Sequence, residues 1–364
     1  MRRADRLLTL PFALLLAHCS DSGGGGAADA GATADGGGAC ASAPVTELAA
    51  LPVACSGLAI SADALFTLDE RGGGETAIGP SRAVVRVPKD GGAAVVFYTP
   101  APPDRLLDLI ADASGVFIAE ADPAAADELT GRLVRKDIAS GAVATVLASG
   151  ISKVLVELVA VDDAFVYLAQ PSRRSGQYGI YRVAKAGGAL EAVVEVESGA
   201  FRSVQLQGDE FAFAARVNEL HRVRKDNGGA PVAAVGTRTC TNGLAATPDA
   251  VYCGQPLELE KTGPRFDDPR VLFRVDDVPA LDAAGAAAPH PRLVTSDAVY
   301  VGLNPGAGRK VPLVRVDRVT STLSTVACAL GWVGELVADD QAVYVLQTRD
   351  EAFAEKAALL RIPR

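Results

Sequence analysis

Aromatic residues are scarce in this chain. Phe, Tyr and Trp make up 5% of its 364 residues, and Trp332 is the one tryptophan. So few rings speak against a site built by stacking, such as that of a quinone enzyme. Histidine is scarcer still, at three residues. His221 and His290 would remain after removal of an export signal, and no Cys-x-x-Cys accompanies them, so a zinc site has no ligand set. Spaced Asp-x-Asp-x-Asp loops of the calcium type are missing as well. No nucleophile–base constellation is legible, and neither metal nor cofactor is expected. There is no basic surplus: the net charge is −9 and the pI about 5.0, which disfavours nucleic acid and anionic lipid surfaces as partners. The charges are interspersed, as on a solvated face.

Long apolar runs are confined to the N-terminus. Arg2, Arg3 and Arg6 precede Leu7 to Ala17, an apolar stretch of eleven residues, too short to span a bilayer and right for a signal peptide. It ends in Leu16-Ala17-His18-Cys19, which resembles the lipobox of bacterial lipoproteins, with His18 departing from the small residue usual before the cysteine. The resemblance implies acylation of Cys19, and Ser20 after it implies an address at the outer membrane; cleavage in the Ala-rich stretch that follows is the alternative. Residues 1–18 therefore read as signal peptide. Residues 19–40, rich in Gly and Ala, read as a flexible tether with an r.m.s. reach of roughly 25 Å. Residues 41–364 read as one folded domain.

Two anchors recur through that domain. An Asp stands in a tight turn before a β-rich run at Asp63, Asp112, Asp163, Asp209, Asp249, Asp297 and Asp340. An Arg follows two mostly apolar residues at Arg86, Arg135, Arg182, Arg222, Arg274, Arg315 and Arg361, at intervals of 40 to 52 residues. That is the period of a propeller blade. Each unit has four short strands: a small first one (Gly57 to Ile60, Glu157 to Ala160), a β-branched and aromatic second (Gly115 to Ile118, Ala342 to Val345), an Arg-bearing third, and a fourth after a Gly-containing turn. An Arg–Asp or Arg–backbone contact stabilising each blade explains the arginines better than a polyanion site.

The expected fold is all-β, a propeller of seven four-stranded blades. The last unit stops after its third strand, and Pro44 to Leu48 is a spare strand that would complete it, closing the ring by an N-to-C "velcro". Unit five is the weak point, its fourth strand reading as short or missing. The repeat resembles extracytoplasmic bacterial β-propeller lipoproteins and lacks the signatures of WD40 and kelch blades. Five cysteines beyond Cys19 suit an oxidising compartment. Cys240 with Cys253 and Cys55 with Cys328 are the candidate bridges, and Cys40 with Cys55 is an alternative.

In such a ring the loops between second and third strands gather on one face, where binding residues tend to sit. Asp69 to Ser81, Glu120 to Thr130, Gln170 to Tyr178, Gln255 to Pro269, Asn304 to Lys310 and Thr348 to Lys356 are the candidates. They carry Arg173, Arg174, Tyr178, Arg265, Phe266, Arg309 and Lys310. His290 is expected in a loop of that face, and His221 is expected to be packed or edge-exposed. The expected function is a non-enzymatic binding or scaffolding module of the cell envelope, facing an envelope protein or glycan and held to the membrane by its lipid. A lyase or hydrolase acting on a carbohydrate or cyclic peptide, or a sensor of a small ligand, are the alternatives. Acids or histidines converging from first strands would mark the enzyme.

Overall fold

Short runs with the period of a pleated strand, each ended by a tight polar turn, fold into seven four-stranded sheets. The computed structural model describes residues 44–51, 55–69, 82–140, 142–174, 176–197, 201–215, 219–237, 240–278, 288–304, 311–330, 333–347 and 357–364. Blades 1 to 6 cover residues 55–98, 105–151, 157–197, 201–237, 244–274 and 288–330. Blade 7 takes its first three strands from residues 333–363 and its fourth from Thr46–Leu51. Thr46 pairs antiparallel with Arg361 and Leu51 with Ala357, so the expected closure is present. The added strand pairs the edge of the third strand and joins the two ends of the ring, leaving blade 7 the same short outer edge as the other blades. Among the described residues the only helical turn is Val275–Asp277, and no helix is long and apolar enough to cross a membrane.

Each sheet is sandwiched between two others, so its strands bury both faces. That is why the second strands read as almost unbroken apolar runs, with Ala64–Asp69 and Gly115–Ala121 buried throughout. Seven apolar clusters fill the seven interfaces between blades. At one fixed place in the second strand stands Phe66, Phe117, Tyr167, Tyr252, Tyr300 or Tyr344, each fully buried or nearly so. Opposite these, on the third strands, are Arg86, Arg135, Arg182, Lys261, Arg315 and Arg361. In blade 4, Arg222 faces Ala212.

Blade 5 corrects the repeat. Its third strand is Glu258–Thr262, so Lys261 holds the arginine's place, and Arg274 belongs to the fourth strand, Arg270–Arg274. The position keeps a long cation in every blade of this chain but changes residue type in blade 5, and Arg274 on the fourth strand is a false match.

The turn after the first strand follows two recipes. In blades 2, 3 and 7, Asp112, Asp162 and Asp339 accept the backbone N–H groups two and three residues on. In blades 1, 5 and 6 the hydroxyls of Ser61, Thr247 and Thr295 take the N–H three residues on, at Ala64, Ala250 and Ala298. These are the Asx and hydroxyl turns in which a side chain stands in for backbone. In blades 3 and 7 the working residues are thus Asp162 and Asp339, one before the expected Asp163 and Asp340. Blade 4 manages with a two-residue hairpin in which Gly208 takes φ +62°, and Asp209 pairs with Lys225 at 3.0 Å.

A second cation, three residues after the repeated residue of the third strand, ties the turns of blades 2, 3, 5, 6 and 7 to the next blade. Lys89 reaches Asp339 at 2.8 Å, Lys225 reaches Asp162 at 3.1 Å and Arg318 reaches Asp249 at 3.1 Å, while Lys185 pairs with Asp112 and Arg364 with Asp297. Lys89 and Lys185 also lie over the rings of Tyr344 and Phe117. Ile138 and Pro264 occupy the corresponding places in blades 2 and 5. The repeated arginines themselves have mixed roles. Arg86 and Arg315 bond Asp63 and Asp297 within their blades, as expected. Arg182 stacks on Phe165 and bonds Glu191, and Arg222 donates to the carbonyls of Thr247 and Pro264 in the following blade.

Candidate functional site in the central channel

Each first strand touches the first strands of neighbouring blades, and that of blade 7 touches that of blade 1, so together they ring an axis. Strand register sets which residues share a level of this channel. Two residues past the repeated aromatic position, the second strands reach Leu68, Ala119, Ala169, Ala214, Gly302 and Leu346. Paired with these on the first strands are Ser56, Asp108, Glu157, Arg202, His290 and Glu335. In blade 5, Gly254 at that level donates its N–H to Gly243. Six of seven blades thus present a polar or ionisable residue at one height. Only the backbone positions of Ser56 and Arg202 are described.

First strands carry a β-bulge in these six blades, for instance between Leu106 and Asp108 and between Leu158 and Ala160. A bulge inserts one residue and re-aims its neighbours. It lies above the ring level in blade 2 and below it in blade 3, so Asp108 and Glu157 stand at different distances from their turns and still share a level. Gly57 takes φ +63° at the blade 1 bulge, beside Asp108.

Asp108, Glu157 and Glu335 line a cavity of about 380 Å³. Asp108 links two blades: its carboxylate accepts the N–H of Leu109 at 2.8 Å and of Leu158, in blade 3, at 2.6 Å. Burial outweighs these donors and pushes its carboxyl up to about 8. Glu157 and Glu335 are exposed to the channel space, within the ring of first strands packed around them. Burial, with the charge of Glu335 added, raises Glu157 to about 7. Burial also raises Glu335, opposed by the neighbouring Arg292. His290 is pressed down to about 4 by burial and by Arg292, which leaves its imidazole neutral near pH 7. The channel therefore gathers carboxyls that exchange protons near neutrality. Among the described residues no group of His, Cys, Asp and Glu is arranged to hold a metal ion.

This ring was missed in the sequence because its members have no common spacing and no motif. His290 is the clearest case: expected in a loop, it lies on the first strand of blade 6, Ala288–Val294, between Pro289 and Pro291. His221 is buried and stacked on Phe213 at 5.2 Å.

The loop candidates separate. Arg173 and Arg174 line one cavity at the flank of blades 2 and 3. Tyr178 leaves the set, since it is buried in the third strand of blade 3 with its ring edge-on to Phe201 at 4.8 Å. Arg265 and Phe266 lie between the third and fourth strands of blade 5, hence on the opposite face from the expected one, and Phe266 is packed in the core between blades 4 and 5. The error follows from the displaced third strand. Cys19, Arg309 and Lys310 lie outside the described residues. Cys240 and Cys253 form a disulfide with Cα atoms 5.0 Å apart. Cys328 is also disulfide-bonded, while the side chain of Cys55, its expected partner, is outside the described set.

No family's sequence pattern and no curated protein matches this chain. Solved structures do. YCF48 bound to D1 peptide aligns over 88% of this chain and 96% of its own, with a TM-score of 0.54 and 11% identity. YCF48 from Cyanidioschyzon merolae aligns over 88% and 99% at 0.53 and 13%. The WD40 β-propeller domain of Doa1 aligns over 87% and 97% at 0.55 and 9%. The fold is that of the β-propellers, seven-bladed with four strands to the blade. Identities this low speak to the fold alone.

Proposed function

We propose that this chain is an exported binding module of the cell envelope, anchored by a lipid on Cys19, that takes its ligand at the channel ring. The observation that carries the reading is the ring itself: Asp108, Glu157, His290 and Glu335 held at one level of a closed scaffold by strand register. A rigid ring with ionisable groups turned to a central cavity is built to recognise something polar. YCF48, a structure of similar fold, is bound to D1 peptide, which supports a partner supplied by an envelope protein; an envelope glycan is the alternative. The resemblance of Leu16-Ala17-His18-Cys19 to a lipobox is what supports an anchor at Cys19.

Two measurements test this reading. Cys19→Ala is expected to abolish acyl labelling and release the chain from the membrane fraction; unchanged labelling and fractionation would remove the anchor. Native mass spectrometry of the chain extracted from envelopes is expected to find a bound mass that disappears in Glu157→Gln/Glu335→Gln. A chain that carries no such mass, or keeps it in the variant, would remove the channel as the binding site.

A second reading has one observation in its favour. Carboxyls raised to about 7 and about 8 in one cavity are what general acid–base catalysis needs near neutral pH. A lyase or hydrolase acting on a carbohydrate or cyclic peptide would lose turnover in Glu157→Gln while keeping affinity, which separates it from a binding module.

A further inference from the structure

The cavity at the flank of blades 2 and 3 shares no lining residue with the channel and measures about 540 Å³. Part of its lining is apolar: Leu129, Pro171, Leu190 and Ala192. The rest includes three charged side chains, Arg173, Arg174 and Glu195. Glu195 stands there with its Oε1 already engaged, accepting from the Tyr181 hydroxyl at 2.6 Å and the Ser172 hydroxyl at 2.7 Å. Burial works to raise its carboxyl, but these two donors prevail and hold it below the usual range, so it is an anion at any ordinary pH.

Two guanidinium groups face this space. Arg174 approaches Glu195 at 3.5 Å, a loose pairing for a side chain that is 77% exposed. Arg173 makes no hydrogen bond or ion pair among the described residues. Its guanidinium lies along the wall at Gly150, where a Cβ would sit 3.5 Å from its Nη2. Gly150 has φ +87° and its carbonyl is held by the Gln170 amide at 3.1 Å, so the wall that takes the guanidinium is itself fixed. Glu195 satisfies at most one of the two cations, and the lining keeps a positive charge to spare.

We infer that this cavity binds the carboxylate of an apolar molecule, with Arg173 and Arg174 gripping the carboxylate and Leu129, Pro171 and Leu190 receiving the apolar body. Arginine forks match carboxylate geometry with paired donors, and the volume falls in the range of small-ligand sites. The shared chemistry has two sources, a free carboxylic acid or the C-terminus of a peptide. Glu195 would repel a second negative charge, so a monoanion fits better than a dianion.

The test is calorimetric titration of the full chain with three probes: octanoate, acetyl-Ala-Ala-Leu with a free carboxylate, and the same peptide as its amide. At least one acid is expected to bind, the amide to fail, and Arg173→Gln/Arg174→Gln to weaken the acid at least tenfold with an unchanged melting temperature. Binding of octanoate alone identifies a free acid, and binding of the peptide identifies a C-terminus; both uphold the site. No binding by either acid, equal binding of acid and amide, or an unaffected double variant would overturn it. Should the double variant not fold, the exposed single change Arg173→Gln decides in its place. Glu157→Gln is expected to leave this binding intact, which keeps the site's fate separate from that of the channel.

Discussion

Asp162 and Asp339 show how a small polar group can serve two purposes at once. Each caps its own turn through two backbone N–H groups and receives a lysine from the neighbouring blade. Burial acts to raise their carboxyls, but the N–H donors and the lysine outweigh it and hold both at about 2. A carboxyl depressed in the fold contributes stability above its unfolded value, and that contribution is lost as pH falls from about 4 towards about 2. Lys225→Met and Lys89→Met should each lower stability at pH 7 by up to about 1 kcal/mol, the scale of a partly shielded ion pair. They should also soften the acid transition. Melting curves at pH 7, 4 and 3 check this, and a variant that loses stability equally at all three would refute the linkage. Asp108 makes a different prediction. Asp108→Ala would strand the N–H groups of Leu109 and Leu158 in the channel wall, at a cost of about 1–3 kcal/mol for each one that water does not reach. Chemical denaturation reads that loss directly.

Strand Thr46–Leu51 is the element on which closure depends. It pairs with the third strand of blade 7 from Thr46 opposite Arg361 to Leu51 opposite Ala357, with a bulge between Glu47 and Ala49, and Leu51, 1% exposed, is buried in the cluster between blades 7 and 1. Leu51→Ala should cost about 2–5 kcal/mol, as for other fully buried leucines. Because the strand joins the two ends of the folded domain, the loss should appear as faster unfolding of blades 1 and 7, measurable by hydrogen exchange. Uniform loss of protection over all blades would contradict that. The pairing of spare N-terminal strand and incomplete last blade was legible in the sequence because both halves of the defect were visible: a unit without a fourth strand and a strand without a unit. Blade 5 was not. Its third strand, Glu258–Thr262, carries Lys261 where other blades carry Arg, while Arg274 imitates the pattern one strand later. A rule written as one residue type fails when the physical requirement is only a long cation opposite an aromatic ring.

The ring as a whole was readable because its repeat is carried by sequence spacing, and the channel was not because its contents are carried by register. Second strands buried on both faces, tight turns with Asp, and a cation opposite a ring all recur at intervals a reader can count. The ionisable level of the channel depends on where each first strand bulges, and a bulge shifts spacing by one residue without leaving a residue type behind. The two layers of charge have opposite pH signs, which predicts how the complete molecule responds. The turn carboxyls, Asp162 and Asp339, are depressed and contribute stability that fades below about pH 4. The channel carboxyls, Asp108 and Glu157, are raised, to about 8 and about 7. A carboxyl raised in the fold favours folding while it stays protonated, and its penalty grows as pH climbs from its unfolded value near 4 to its folded value. Stability should therefore peak near pH 4 and decline from there towards pH 8, with His290, pressed down to about 4, offsetting part of that decline below about pH 6.5. Glu157→Gln removes one of the raised groups without emptying the channel. It should flatten the decline on the alkaline side and leave the acid side unchanged, in melting temperatures taken from pH 3 to 9. A variant whose profile runs parallel to that of the parent at every pH would mean that Glu157 is hydrated like a surface residue, and the channel ring would lose its claim to titrate near neutrality.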